Sequence, residues 1–172
     1  MALPFVGEYK RYHRLLERAL EQVTDEEFFQ VLTPGTNSIA IIINHLSGNF
    51  TSRFTDFLTS DGEKPWRNRE SEFDVTGLSR EEVMARWESA WQVLTSSVWE
   101  LGDDDRLKTI TIRGVTLTVD EALTRSLSHF SYHVGEVVGI ARQLRGPNWQ
   151  FLSIAPGGSE AYNANPTSEK LT

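Results

Sequence analysis

Three of the four histidines in this chain have the spacing of a single metal site. His129 and His133 stand four residues apart in Ser128-His129-Phe130-Ser131-Tyr132-His133. On a helix that spacing sets both imidazoles on one face, about one turn apart, close enough to grip one ion. His45 lies in a separate apolar run, Ile41-Ile42-Ile43-Asn44-His45-Leu46. Three neutral imidazoles leave a coordination position free for water or substrate, which is the arrangement a catalytic divalent metal uses. The competing reading makes His129 and His133 exposed helix-surface residues and His45 a hydrogen-bonded boundary residue. His13 has no partner at ligand spacing and reads as a surface or boundary residue.

The donor set narrows the metal chemistry. A zincin needs Glu directly after the first histidine of the pair, and Phe130 follows His129. A di-iron bundle needs Glu three residues before each ligand histidine, whereas Ser126 and Phe130 occupy those positions. Three histidines without a fixed carboxylate suit zinc or nickel, ahead of iron and manganese. Glu136 continues the same helix flank and is the candidate base or ligand-orienting carboxylate; the alternative is a solvated helix residue or an ion-pair partner.

Four long helical segments must position these residues. The first is expected over about 5–23, with apolar residues at Phe5, Tyr9, Tyr12, Leu16, Leu20 and Val23. Thr24-Asp25-Glu26-Glu27 then reads as a capping box for a short helix through Leu32, stopped by Pro34-Gly35. The second long helix is expected from Thr36-Asn37 to about Leu58, with a stripe of Ile39, Ile43, Leu46, Phe50, Phe54 and Phe57. A polar loop with Gly62 and Pro65 follows. Ser79-Arg80-Glu81-Glu82 opens the third helix, whose stripe runs from Val83 to Leu101. The alternation around Arg113-Gly114, from Lys108 to Thr118, predicts a small hairpin. Thr118-Val119-Asp120-Glu121 then caps the last helix, which runs to about Leu144 and is closed by Gly146-Pro147. At about 100° per residue, His129 and His133 fall on one flank of that helix's stripe, and His45 on a flank of the second helix's stripe. Asn49, Ser52 and Asp56 continue the His45 flank. Two such flanks meeting would make a polar pocket beside a dry core. The tail Trp149-Gln150-Phe151-Leu152 is apolar enough to pack back on the body, and the stretch from Asn163 onward is expected to fray.

Composition sets the outer bounds. The chain has 172 residues, read as one domain over 1–172, with 39% apolar and 24% charged residues. Its net charge of −7 argues against nucleic acid as a partner. No run approaches the roughly 20 apolar residues of a membrane span, so no membrane partner is expected. The N-terminus lacks the form of a signal peptide, and cysteine is absent, which removes disulfides, thiolate ligands and a cysteine nucleophile together. A cytoplasmic location is the simplest expectation. The fold expected is all-α, a four-helix bundle with a small β-hairpin before the last helix.

These residues resemble the DinB/YfiT-like metalloenzyme superfamily, whose members carry one His on the second bundle helix and His-x-x-x-His on the fourth. The resemblance is closest to a small bacterial subgroup of uncharacterised members. It rests on Asn44-His45-Leu46-Ser47-Gly48-Asn49, Thr59-Ser60-Asp61-Gly62-Glu63-Lys64-Pro65-Trp66, the hairpin around Arg113-Gly114, His129 through Gly135, and Leu152 through Gly157. It implies His45, His129 and His133 as the ligands and an up-down-down-up topology whose long crossover is supplied by residues 61–73 and their continuation. It also implies a chemistry. Relatives include S-transferases and isomerases that use bacillithiol, mycothiol or glutathione, and some members have been proposed as metal-dependent hydrolases. A thiol S-transferase is the leading expectation, because a chain without cysteine must take its sulfur from a small cofactor. The alternatives are a hydrolase and a non-catalytic metal-binding, stress-related protein. A small-molecule substrate and a homodimer, using the apolar tail, complete the expectations. Trp66, in a polar loop, is the tryptophan expected to border a cleft.

Overall fold

A computed structural model describes residues 3–166. Among them it is mostly helical, with six α-helices and one two-stranded antiparallel hairpin. Helix α1 (Pro4–Leu20) begins on Pro4, whose missing N–H would have no helical partner anyway. Helix α2 (Asp25–Phe29) is short and carries the expected capping box: Thr24 Oγ1 accepts from Glu27 N, and Glu27 accepts from Thr24 N. Helices α3 (Ile39–Phe54), α4 (Arg80–Val98) and α5 (Val119–Arg145) follow. The capping boxes of α4 on Ser79 and of α5 on Thr118 are both formed.

Helix α3 packs against α4 and α5, and α1 packs against α5. The core between them is strongly aromatic. Phe130 on α5 lies 5.3 Å from Phe50 on α3, 5.8 Å from Trp87 on α4 and 6.2 Å from Tyr9 on α1, centroid to centroid. All four residues are buried, so one side chain from each long helix meets at the centre. His13 lies elsewhere, stacked on Trp91 at 3.9 Å and beside Glu17, as a boundary residue.

The hairpin pairs β1 (Thr109–Ile112) with β2 (Val115–Thr118), directly before α5. Its turn residues Arg113 and Gly114 have φ of +54° and +73°. Two positive φ values are what a two-residue type I′ turn requires. Asp61 fastens the turn, its carboxylate accepting from Arg113 N at 2.8 Å and Gly114 N at 2.9 Å. Ile110 and Ile112 are buried, so the hairpin leans on the helical body as its small size demands.

Several boundaries differ from expectation. Helix α3 stops at Phe54, not Leu58, because Thr55 turns extended and Asp56 takes φ of +49°, a conformation Asp tolerates better than most residues. Asp56 therefore does not continue the His45 flank. Helix α3 also starts later, on Ser38, whose hydroxyl accepts from Ile41 N. Helix α1 ends at Leu20, and α2 ends at Phe29 before reaching Leu32. The tail does return to the body: Arg18 donates to the Leu152 carbonyl at 2.6 Å, and Trp149 and Leu152 pack on the core. A sixth helix, α6 (Ser159–Ala164), takes in Asn163 and was not foreseen. The remainder of the expected frayed stretch, from 167 onward, lies outside the described residues. No helix among the described residues is long and apolar enough to cross a membrane.

Candidate metal centre

The three imidazoles converge. His45 comes from the middle of α3, and His129 and His133 from successive turns of α5. His129 Nε2 lies 3.3 Å from His45 Nε2 and 3.1 Å from His133 Nε2. All three ligand nitrogens lie within 4.8 Å of one another. Tetrahedral ligands at a metal–nitrogen distance of about 2.05 Å stand about 3.3 Å apart, so the spacing suits an ion at the centre.

The tautomers sharpen this. His45 Nδ1 lies 2.8 Å from Glu72 Oε2, and His133 Nδ1 lies 3.0 Å from Glu136 Oε2. A carboxylate only accepts, so both rings carry their proton on Nδ1 and present a bare lone pair at Nε2. His129 cannot reconcile the two. Its Nδ1 is buried without a partner. If the proton sits on Nδ1, three lone pairs face one another; if it sits on Nε2, it answers one neighbour and leaves Nδ1 a buried, unmatched acceptor. A cation at the centre would remove the conflict, and the Glu72 and Glu136 contacts have the form of the carboxylate contacts that orient histidines in metal sites.

Burial favours the neutral, metal-binding form of His129 and His133. His129 is pushed down to about 4, first by desolvation and then by the neighbouring His133 and His45. Desolvation also lowers His133, although Glu136 pulls the other way. Glu72 is itself buried, which alone would raise its carboxyl; the hydrogen bonds from His45 and Arg67 outweigh that and hold it below the ordinary range. Arg67 forks Glu72 with Nε at 2.7 Å and Nη2 at 3.0 Å, and only 3% of its side chain is exposed.

Glu72 and Arg67 escape a reading by periodicity, because both sit in the crossover between α3 and α4. A 3-10 turn, Glu70–Phe73, places Glu72 over α3. Asn44 Nδ2 donates to the Glu72 carbonyl at 2.8 Å, and Phe73 stacks on the His45 ring at 5.1 Å. One signal did exist: Gly48, inside α3 and three residues after His45. A Cβ there would stand 2.6 Å from Glu72 Cδ and 2.8 Å from Cγ, so only glycine lets the carboxylate lie against the helix. His45 is buried, not on the boundary, because the crossover covers that flank.

The Asp61-Gly62-Glu63-Lys64-Pro65-Trp66 run is scaffold for this wall. Asp61 holds the hairpin, and Glu63 Oε2 accepts from Arg53 at 2.8 Å, Arg67 at 3.1 Å and Arg113 at 3.2 Å. Trp66 is 58% exposed and borders a cavity of about 590 Å³. That cavity touches Arg67 and Glu72 but none of the three site histidines. The cavity that opens onto His45 and His129 is smaller, about 180 Å³, and reaches from α3 to the hairpin. Of the two, the smaller one has direct access to the imidazoles.

A family model described as "Protein of unknown function (DUF1572)" matches residues 5–158. No curated protein and no solved structure matches the chain.

Proposed function

The chain belongs to the DUF1572 family of proteins of unknown function, and on that footing we propose that it is a metal-dependent enzyme of the DinB-like four-helix-bundle type. The bundle reading takes α1, α3, α4 and α5 as its four helices, with the crossover between α3 and α4 as the long connection of an up-down-down-up topology. His45, His129 and His133 are the ligands of one divalent ion, zinc or nickel ahead of iron or manganese. The observation that carries the reading is the convergence of three Nε2 atoms, two of them stripped of their proton by Glu72 and Glu136.

An ion held there supplies Lewis acidity, which lowers the pKa of a bound thiol or water toward neutrality. The chain's own residues do the rest. Glu72 and Glu136 fix the His45 and His133 rings, and Arg67 keeps Glu72 charged. Glu136 faces the Nδ1 side of His133, which favours orienting the ring over taking a substrate proton, though its side chain is 30% exposed and its second oxygen has no hydrogen bond among the described residues. The chain has no cysteine, so a thiol transfer would draw its sulfur from a small cofactor of the bacillithiol, mycothiol or glutathione kind. The second reading is a hydrolase that uses water at the same position.

A panel of these thiols and plain water as nucleophiles, against electrophilic small molecules, tests the choice with metal-loaded and metal-free protein. Metal-dependent turnover with a thiol is expected. Turnover with water alone makes the protein a hydrolase, and no metal-dependent turnover at all leaves a metal-binding protein.

A further inference from the structure

The small cavity over His45 and His129 has a feature the imidazoles do not explain. Five arginines line it, Arg53, Arg67, Arg69, Arg113 and Arg125, in a chain whose net charge is −7. They arrive from the end of α3, the crossover, the hairpin turn and α5. Like charges gathered at the mouth of a partly closed cavity repel unless anions answer them.

Two of the five are answered from within. Arg53 and Arg67 share Glu63, and Arg67 also forks Glu72. The other three are answered only in part or not at all. Arg113 reaches only the Glu63 oxygen already shared by those two, and its side chain is 55% exposed. It is held there in a left-handed conformation that is unfavourable for a non-glycine residue, with Asp61 securing the turn. Arg69 pairs at 3.6 Å with the solvent-exposed Glu70 beside it and lies over Phe73, the ring stacked on His45. Arg125 makes no ion pair or hydrogen bond among the described residues, yet it stands one turn before His129 on the same face of α5 as both histidines. Ser126 lines the same cavity, its hydroxyl buried beside Tyr9.

We propose that this arginine-lined cavity is an oxyanion subsite, which seats a carboxylate or phosphate group of a small-molecule acid beside the three-histidine centre. Guanidinium groups bind both oxyanions in forked pairs, and a volume of about 180 Å³ admits such a group with a few attached carbons. Calling that acid the substrate rests on the metal-enzyme reading; the binding of an anion does not.

The test titrates the full chain, metal-free and zinc-loaded, with succinate and with inorganic phosphate at low ionic strength. Calorimetry gives the affinity, and the arginine Nε–Hε resonances report the place. Saturable one-to-one binding of at least one probe to the metal-free protein is expected. Arg125→Gln and Arg113→Gln should each weaken it tenfold or more, while Arg11→Gln, on α1 and paired with Glu8, should leave it unchanged. A preference between the probes identifies the group and supports the subsite either way. Binding with no accompanying zinc affinity keeps the subsite and removes the metal reading. Zinc binding without saturable uptake of either anion overturns the subsite, as does uptake indifferent to both arginine substitutions.

Discussion

Substituting Gly48→Ala separates the stability of the fold from the competence of the site. In a helix interior, replacing glycine by alanine ordinarily stabilises by about 0.5–1 kcal/mol, because the unfolded chain loses freedom. Here the new methyl group meets Glu72 at 2.6 and 2.8 Å, while an ordinary van der Waals contact begins near 3.4 Å. The Glu72 carboxylate must therefore retreat by roughly 0.6–0.8 Å from Gly48, and its 2.8 Å bond to His45 Nδ1 and its fork with Arg67 stretch or break. Weakening a charged hydrogen bond loses about 1.5–3 kcal/mol, which the helix gain partly offsets, so net destabilisation of about 1–2 kcal/mol is expected. His45 also loses the partner that fixes its tautomer, and the loss of such outer contacts lowers metal affinity about 10–100-fold. Gly139→Ala is the control, since a Cβ at Gly139 in α5 meets nothing within 4 Å and only the helix gain remains. Urea unfolding and zinc competition against a chromophoric chelator measure the two effects. Zinc affinity in Gly48→Ala equal to that of the unsubstituted chain would refute the role assigned to Glu72.

Three further outcomes are expected. With its pKa pushed down to about 4, His129 stays neutral in the folded protein where the unfolded chain, near 6.5, already binds a proton. The unfolded state therefore holds more protons between those values, and metal-free stability should fall as pH drops from about 6.5 to about 4, then level off. The full shift, discounted for partial solvent exposure, amounts to about 1–2 kcal/mol, and urea midpoints across that range should lose this component in His129→Gln. Phe130→Ala removes the ring where all four long helices meet and should destabilise by about 3–5 kcal/mol, read from the shift in the urea midpoint. A two-fold dimer is expected through the tail, where Phe151 and Ile154 remain 40% and 42% exposed, and light scattering at micromolar concentration should return twice the chain mass; a monomer counts against it.

The parts legible in the sequence are those governed by local rules. Thr24, Ser79 and Thr118 announce their helices because a capping box needs only four adjacent residues. The hairpin follows from alternation around Arg113-Gly114, and the His129–His133 pair from helical periodicity. His45 could be joined to that pair because its flank of α3 was polar among isoleucines. Glu72 and Arg67 obey no periodicity. They reach His45 from a crossover whose path is set by contacts distant in sequence, namely Asn44 to the Glu72 carbonyl, Ser52 to the Gly62 carbonyl and Asp61 to the hairpin turn. The early end of α3 was hidden for a related reason: Phe57 is buried as the apolar stripe requires, but it arrives there through the left-handed turn at Asp56 and not by a further helical turn. The arginine gathering is likewise a product of folding, since its members are scattered over more than 70 positions from Arg53 to Arg125 and the overall charge is acidic.

X-ray absorption at the zinc edge, on the full chain loaded with one equivalent of zinc, tests the three-histidine centre most directly. Three imidazole nitrogens at about 2.0–2.1 Å and one lighter oxygen or nitrogen ligand are expected, with one imidazole lost in His129→Ala while the circular dichroism stays helical. Zinc bound by fewer than three imidazoles in the unsubstituted chain, or a spectrum unchanged by His129→Ala, would contradict a metal centre built from His45, His129 and His133.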